Sequence, residues 1–429
     1  MERIFRNLLT FAFIILIAGT AAGQTASPQF EQEIQFITNQ SNVKEAFQII
    51  VDLEPQTHRD LIMLTEIPAP PFKEEQRAKK FAEMLREAGA DEVRIDAVGN
   101  VVALRRGQTG NRTVALDAHL DTVFPEGTDV TVKMRGDTLF APGIGDDTRG
   151  LIVVLTVLRA MTASGIKTDA DILFIGTVGE EGLGDLRGVK HLFSEAGPGI
   201  DSWIALDGGG IGGIVNGALG SHRYRVTFKG PGGHSWGVFG LANPQHALGA
   251  AIHYFVEEAD IFTSEGTRTS YNVGRIGGGT SVNSIPYDAW MEVDMRSLSP
   301  ERLNEIDAIF QKAVQRALQE QNSLRRRGAE LTVDVDMIGD RPSGRLDPGI
   351  PLIQRAVAAA NYFNARTSFG TSSTDSNIPI SMGIPAITIG RGGRGGGGHS
   401  LNEWWLNRDG HRAIQYALIV LLAEAGLAK

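Results

Sequence analysis

The 429-residue chain reads as an α/β protein: a larger, mostly parallel sheet interrupted by a smaller α+β unit. Short β-branched apolar runs alternate with helical stretches as far as Asp207. The order then changes to strand-helix-strand-strand-helix-strand through Arg341, after which the first pattern resumes. A chain of this length with 42% hydrophobic residues also exceeds one compact unit, so two domains are expected.

The first segment stands apart from the fold. Met1 to Asn7 carries Arg3 and Arg6, Leu8 to Ile17 is apolar and uncharged, and Ala21-Ala22-Gly23 supplies small residues. This is the pattern of a secretory signal peptide over residues 1–23, with an apolar run short of the ~20 residues a spanning helix needs. An exported chain, periplasmic or extracellular, with no stable membrane anchor after cleavage, is expected.

Pro28 to Gln40 is polar and reads as a loose lead-in, followed by a helical pattern through Phe47, Ile50, Val51 and Leu53. Lys73 to Ala88 is amphipathic at helical spacing, and Val93 to Leu104 is a strand pair around Gly99-Asn100. Thr113 to His119 is a buried strand, Gly150 to Ala163 a long helix, and Asp171 to Thr177 and Ser202 to Leu206 short apolar strands. Strands alternating with helices imply a parallel sheet covered on both faces.

In the second block, Tyr224 to Phe228 alternates in polarity, Asn243 to Glu258 is helical, and Ser270 to Ile276 and Ala289 to Arg296 are strands. Pro300 to Leu318 is a helix and Leu331 to Ile338 a strand. That βαββαβ order is the ferredoxin-like arrangement. A helix at Gly349 to Tyr362, a strand at Ala386 to Gly390 and a helix at Arg408 to Ala425 return to the first pattern. Residues 221–343 are thus read as an insertion into a larger domain formed by residues 24–220 and 344–429.

With no cysteine, the chain has no disulfides, thiolate ligands or cysteine nucleophile. A net charge of −9 makes nucleic acid an unsuitable partner.

Five segments carry acids or histidines at strand ends or in Gly-rich turns: His119 and Asp121 in LDAHLDTVFP, Asp146 in APGIGDDTRG, Glu180 and Glu181 in GTVGEEGLGD, Asp207 in IALDGGG and His399 in GGGGHSLNEWW. A two-metal hydrolase needs a bridging carboxylate, terminal ligands for each ion and a free general base, and this inventory supplies them. In H-x-D at a strand end, residues i and i+2 face the same way, so Asp121 can support His119. Asp146, in a Gly-rich turn before a helix, is placed to bridge. Of the adjacent Glu180 and Glu181, one can ligate while its neighbour stays free to take a proton. The run Gly390 to Gly398 lacks a following G-K-[ST], so it reads as a flexible or tightly turned loop delivering His399 rather than a phosphate cradle.

These segments resemble the M20 family of metallopeptidases and amidohydrolases, which includes glutamate carboxypeptidases, tripeptidases, dipeptidases and acylamino-acid deacylases. The resemblance covers nearly all of the chain after the lead-in. It implies that His119 and Asp207 bind one metal ion, Glu181 and His399 the other, and that Asp146 bridges them. Glu180 would be the general base that takes a proton from a water held between the ions, with Asp121 behind His119. Two divalent ions per subunit are implied, zinc first, with cobalt or manganese accepted by the same ligand types.

The resemblance also makes the insert a lid and homodimerisation module. Its Gly-Gly-His-Ser segment places His234 where such a lid histidine reaches the neighbouring subunit's site. GGGTSVNSIP with Asn283, DMR with Arg296, and Arg341 in GDRPSG resemble substrate- and oxyanion-binding positions, and GTSSTDSNIP (Gly370 to Pro379) a substrate-side loop. The implied activity is hydrolysis of small peptides by an exopeptidase. A deacylase of N-acyl amino acids on the same site is the close rival, and a metal-free binding protein on the same fold is a rival of another class. Asp207, where deacylase-like members more often carry glutamate, resembles the peptidase side of the family.

Overall fold

A computed structural model describes residues 26–428; the expected leader at residues 1–23 lies outside them. The larger domain is centred on a nine-stranded mixed sheet. Its middle is parallel: Asp171–Thr177, Thr113–His119, Ser202–Gly208 and Ala386–Gly390 lie side by side in that order. Antiparallel strands close one edge, Glu92–Ile95 pairing with Val101–Arg105 and the latter with Asp171–Thr177. At the other edge lie Gly213–Ala218, Gly344–Arg345 and Ser368–Ser372.

The central strands are buried almost throughout, which is why they read as continuous β-branched runs. The helix Gly150–Ala163, with Leu151 to Leu158 all buried, and the helix Gly410–Ala425 pack against this sheet in one continuous core.

The insert is a second body with its own core. Four antiparallel strands run in the order Thr269–Gly278, Asp288–Ser297, Gly220–Lys229, Thr332–Arg341. Helices Pro244–Thr263 and Pro300–Leu324 cover one face, burying Val226, Phe228, Phe255, Met291 and Phe310. Both helices start as their sequences predict: Asn243 Oδ1 accepts from Gln245 N at 2.9 Å and Ser299 Oγ from Arg302 N at 3.2 Å, each cap followed by proline. Where the chain enters and leaves the insert its strands nearly touch, since a Cβ on Gly220 would stand 2.7 Å from Ser343 N.

Two local readings are corrected. Pro28 to Gln40 is not a loose lead-in but the helix Pro28–Asn39, because Phe30, Ile34 and Ile37 fall on one helical face and are buried. It is anchored far along the chain, Arg355 donating to both oxygens of Glu33 at 3.0 Å. The Gly390 to Gly398 run is not simply a loop: Arg394–Gly396 is a strand in a small sheet with Trp404–Leu406, Thr138–Phe140 and Lys133–Arg135.

Candidate metal centre

The sheet brings His119, Asp146, Glu180, Glu181, Asp207 and His399 together at the carboxyl ends of its parallel strands, where an open α/β sheet forms its crevice. His119 ends the strand Thr113–His119, Asp207 is the penultimate residue of Ser202–Gly208, and Glu180 and Glu181 follow Asp171–Thr177 by three and four residues. Three groups of donor atoms lie within 4.8 Å of one another: His119, Asp146 and Asp207; Asp146, Glu181 and His399; and His119, Glu180 and Glu181.

The geometry puts Asp146 in the middle. Its Oδ1 lies 3.2 Å from His119 Nε2, and its Oδ2 lies 3.2 Å from His399 Nε2, which is also 3.1 Å from Glu181 Oε1. His119 Nδ1 is 3.0 Å from the backbone carbonyl of Asp121, which can only accept, so Nδ1 carries a proton. With Nδ1 so engaged, Nε2 is left facing the Asp146 carboxylate: without a metal ion it donates to that oxygen as part of an imidazolium, and a bound ion would take its lone pair instead. The donor set fits two divalent ions on this ground: imidazole and carboxylate ligands only, with one carboxylate common to both sets.

Without an ion, the histidines and Asp146 stabilise one another's charged forms. Burial disfavours charge on His119, but the bond to Asp146 and the surrounding carboxylates raise its pKa well above the usual value. The bonds to Asp146 and Glu181 lift His399 to about 10. Burial likewise opposes charge on Asp146, yet its bonds to the two histidines hold it well below the ordinary carboxylate range. Asp207 is pushed up to about 7 by burial and then by Asp146. Burial drives Glu180 well up, with Arg341 pulling the other way.

Asp121 supports the site through different atoms from those expected. Its carboxylate lies 3.9 Å from His119 Nδ1, while Oδ1 accepts from Glu180 N at 3.1 Å and Oδ2 from Glu181 N at 2.8 Å. It thus fixes the backbone of the Glu-Glu pair, and its own carbonyl orients His119. Arg341 is buried, its Nη1 3.0 Å from Glu180 Oε1 and 2.8 Å from Ser373 Oγ. In GTSSTDSNIP, Thr374 and Asp375 are buried and Asp375 Oδ2 accepts from Thr177 Oγ1 at 2.5 Å, so the expected substrate-side placement is corrected for these two residues.

The remaining insert residues are not brought to the cluster. His234 lies on a two-residue ribbon, Gly233–His234 paired with Ser284–Ile285, where its Nδ1 accepts from Trp236 N and Gly237 N at 3.2 and 3.3 Å. Asn283 lies beside it, its backbone oxygen accepting from Ser235 N at 2.9 Å. Arg296 Nε donates to Asp294 Oδ2 at 2.8 Å. Among the described residues no hydrogen bond or ion pair links these three side chains to the cluster.

Three residues escaped the sequence reading. Glu403 gathers the turn that carries Asp146, accepting from the backbone N–H groups of Gly143, Gly145 and Asp146 at 2.7, 2.8 and 2.9 Å. Gly143, at φ +78°, could not carry a side chain there, since a Cβ would stand 2.5 Å from Thr122 Cγ2. Asp147, fully buried, accepts from His119 N and Gly150 N, both at 3.2 Å. Arg391 Nη1 donates to Asp207, Asp147 and Asp146 at 2.8, 3.0 and 3.3 Å. A carboxylate four residues after His399, within a run that is otherwise tryptophan-rich, was the available signal for Glu403; nothing local marked Arg391.

Known proteins place this geometry. The profile of Peptidase family M20/M25/M40 matches residues 115–423. The uncharacterised protein YqjE of Bacillus subtilis (strain 168) is 23% identical over 375 residues, covering 83% of this chain and 91% of that protein. Among solved structures, aminopeptidase PepT from Bacillus cereus ATCC 10987 superposes with a TM-score of 0.66 at 22% identity, covering 86% of this chain and 98% of PepT. The dipeptidase Dug1p of Saccharomyces cerevisiae gives 0.69 at 18% identity, covering 90% and 100%. These two likenesses establish the shared fold, a mostly parallel sheet with a separate antiparallel-sheet domain. The profile match over residues 115–423 makes this chain a member of the M20/M25/M40 family of metallohydrolases.

Proposed function

We propose that the chain is an exported exopeptidase hydrolysing the amide bond of small peptides with two divalent ions, zinc first. The observation that carries this reading is the position of Asp146, with one oxygen facing His119 and the other facing His399. Asp146 belongs to two of the three donor groups, one with His119 and Asp207 and one with Glu181 and His399, and we take these as the two ligand sets. Glu180, which falls only in the third group with His119 and Glu181, is then assigned as the base. Bound there, divalent ions supply Lewis acidity, lowering the pKa of water toward neutrality and polarising a substrate carbonyl.

The chain's own residues do the rest. Glu180 takes a proton from the attacking water and returns it to the leaving amine, so each turnover consumes one water and releases one acid and one amine. Arg341 holds Glu180 Oε1 at 3.0 Å, and Asp121 holds its backbone, so the carboxylate is aimed rather than mobile. Glu403 fixes the turn that positions Asp146.

We further propose a homodimer through the insert, in which His234 and Asn283 meet the neighbouring subunit's substrate. An exposed apolar surface beside them supports this: Trp236 is 87% exposed, and Phe239, Val282 and Leu324 border a groove of about 530 Å³. The leader pattern of Arg3, Arg6 and Leu8 to Ile17 supports export.

The test is hydrolysis of dipeptides, tripeptides and N-acyl amino acids by the mature protein, before and after chelation and zinc readdition. Chelator-sensitive release of free amino acids from peptides is expected. Cleavage confined to N-acyl amino acids would move the assignment to a deacylase. No turnover and no bound metal would favour a binding protein.

A further inference from the structure

We propose that the glycine-lined basin beside Asp207 is a subsite for an acidic side chain of the substrate, with Arg394 as the cation that receives it. This rests on the hydrolase reading above and names the substrate class that reading leaves open. The basin has a volume of about 550 Å³ and lies between the segment Asp207 to Gly210 and the segment from Arg391 onward, with Trp404 and Trp405 in its wall. It is lined by Asp207 and by Gly145, next to Asp146, and so adjoins the candidate ligands.

Its emptiness is a property of the sequence. Gly209 and Gly210 are not in the left-handed region, and a Cβ on either would meet nothing within 4 Å. Neither backbone conformation nor packing requires glycine at these positions. Glycine there keeps the basin clear.

The charges in its wall are mostly committed. Glu403 accepts three backbone N–H groups, and Arg391 is held by three carboxylates. With the two ions bound, their charge and that of Arg391 offset the ligating acids. Arg394 remains: it is exposed, and its guanidinium has no partner among the described residues. Its backbone is held firmly, since Arg394 pairs with Leu406 in the small sheet and the indole of Trp405 donates to the Gly392 carbonyl at 3.0 Å. A guanidinium on a fixed strand in the wall of this basin suits a carboxylate, which it grips through two parallel bonds.

The experiment compares matched dipeptides carrying Asp or Asn, and Glu or Gln, on either side of the scissile amide, using zinc-loaded protein. We expect the acidic member of one pair to have a kcat/KM about tenfold higher, as a charge-assisted bond implies, with the favoured side identifying which residue enters the basin. Arg394→Ala should bring the acidic-to-neutral ratio to about one and Arg394→Glu should invert it, chiefly through KM. A ratio near one in the unaltered protein, or a ratio indifferent to both substitutions, overturns the proposal. Calorimetric binding of N-acetylglutamate against N-acetylglutamine decides the subsite even if no dipeptide is cleaved, an outcome that would count against the hydrolase reading alone. Tighter binding of the glutamate that Arg394→Glu abolishes supports the subsite, and equal or undetectable binding overturns it.

Discussion

The cluster around Asp146 and the ribbon around His234 carry similar side chains in opposite circumstances. In the large domain, His119, Asp207 and the Glu180-Glu181 pair stand at or just beyond the ends of buried strands, and two of the ligand-bearing segments are held by other acids: Asp121 binds the Glu180-Glu181 backbone, and Glu403 binds the Asp146 turn. In the insert, His234 and Asn283 are exposed and bonded only to their own neighbourhood. A site built from groups fixed by a common core is complete within one chain. A site that borrows exposed residues from a separate body depends on where that body, or a second copy of it, comes to rest.

The sharpest way to break this contrast is at its centre. Asp146→Ala should lose both metal ions together with activity, whereas Glu180→Gln should keep both ions while kcat falls by about 10³-fold, read by elemental analysis beside turnover. Normal turnover in Glu180→Gln would remove its role as base. Next comes the ribbon: His234→Ala should lower kcat by roughly 10²-fold, in the range of a lost oxyanion donor, with metal content unchanged. Mixing His234→Ala with Glu180→Gln subunits should restore about a quarter of wild-type turnover through hybrid dimers with one intact site. No recovery, or full turnover by a monomeric variant, would end the role in trans.

A smaller effect tests whether the two bodies are energetically separate. Phe310 is fully buried in the core of the insert, so Phe310→Ala should cost about 3–5 kcal/mol of stability there. Zinc content should stay at the wild-type level, and loss of zinc would show that the bodies fold as one.

The smallest effect concerns acid. Asp307 accepts from the ring of His222, from Tyr224 and from Gln311, which outweigh its burial and lower its pKa. A depressed carboxylate contributes stability above its unfolded pKa of about 4, and that contribution fades as pH falls through the folded value. Asp307→Asn should therefore cost about 1–2 kcal/mol near neutrality, and the gap to wild type should close below about pH 4 in denaturant titrations.

How much could be read in advance depended on how local the cause was. Thr113–His119, Gly150–Ala163, Asp171–Thr177 and Ala386–Gly390 were legible to the residue, because extensive burial writes a mostly apolar run. Pro28–Asn39 was misread because three buried apolar residues in a polar stretch gain their meaning only when a distant helix covers them. The ligand candidates were recoverable from type and order, since a two-metal site needs certain donors and strand ends are where a parallel sheet displays them.

By itself, then, the sequence determined the alternation of strands and helices, the inserted βαββαβ unit and the inventory of ligating side chains, all of which follow from periodicity and residue chemistry. Only the tertiary structure decided that Asp121 meets the His119 imidazole through its carbonyl and gives its carboxylate to the Glu180-Glu181 backbone, that Arg341 is committed to Glu180, and that Arg391 and Glu403 belong to the centre at all. The physical reason is separation along the chain. Arg391 lies 245 residues from Asp146 and Glu403 lies 260 from Gly143, and no local pattern records which distant charge will neutralise a carboxylate once folding has removed its water.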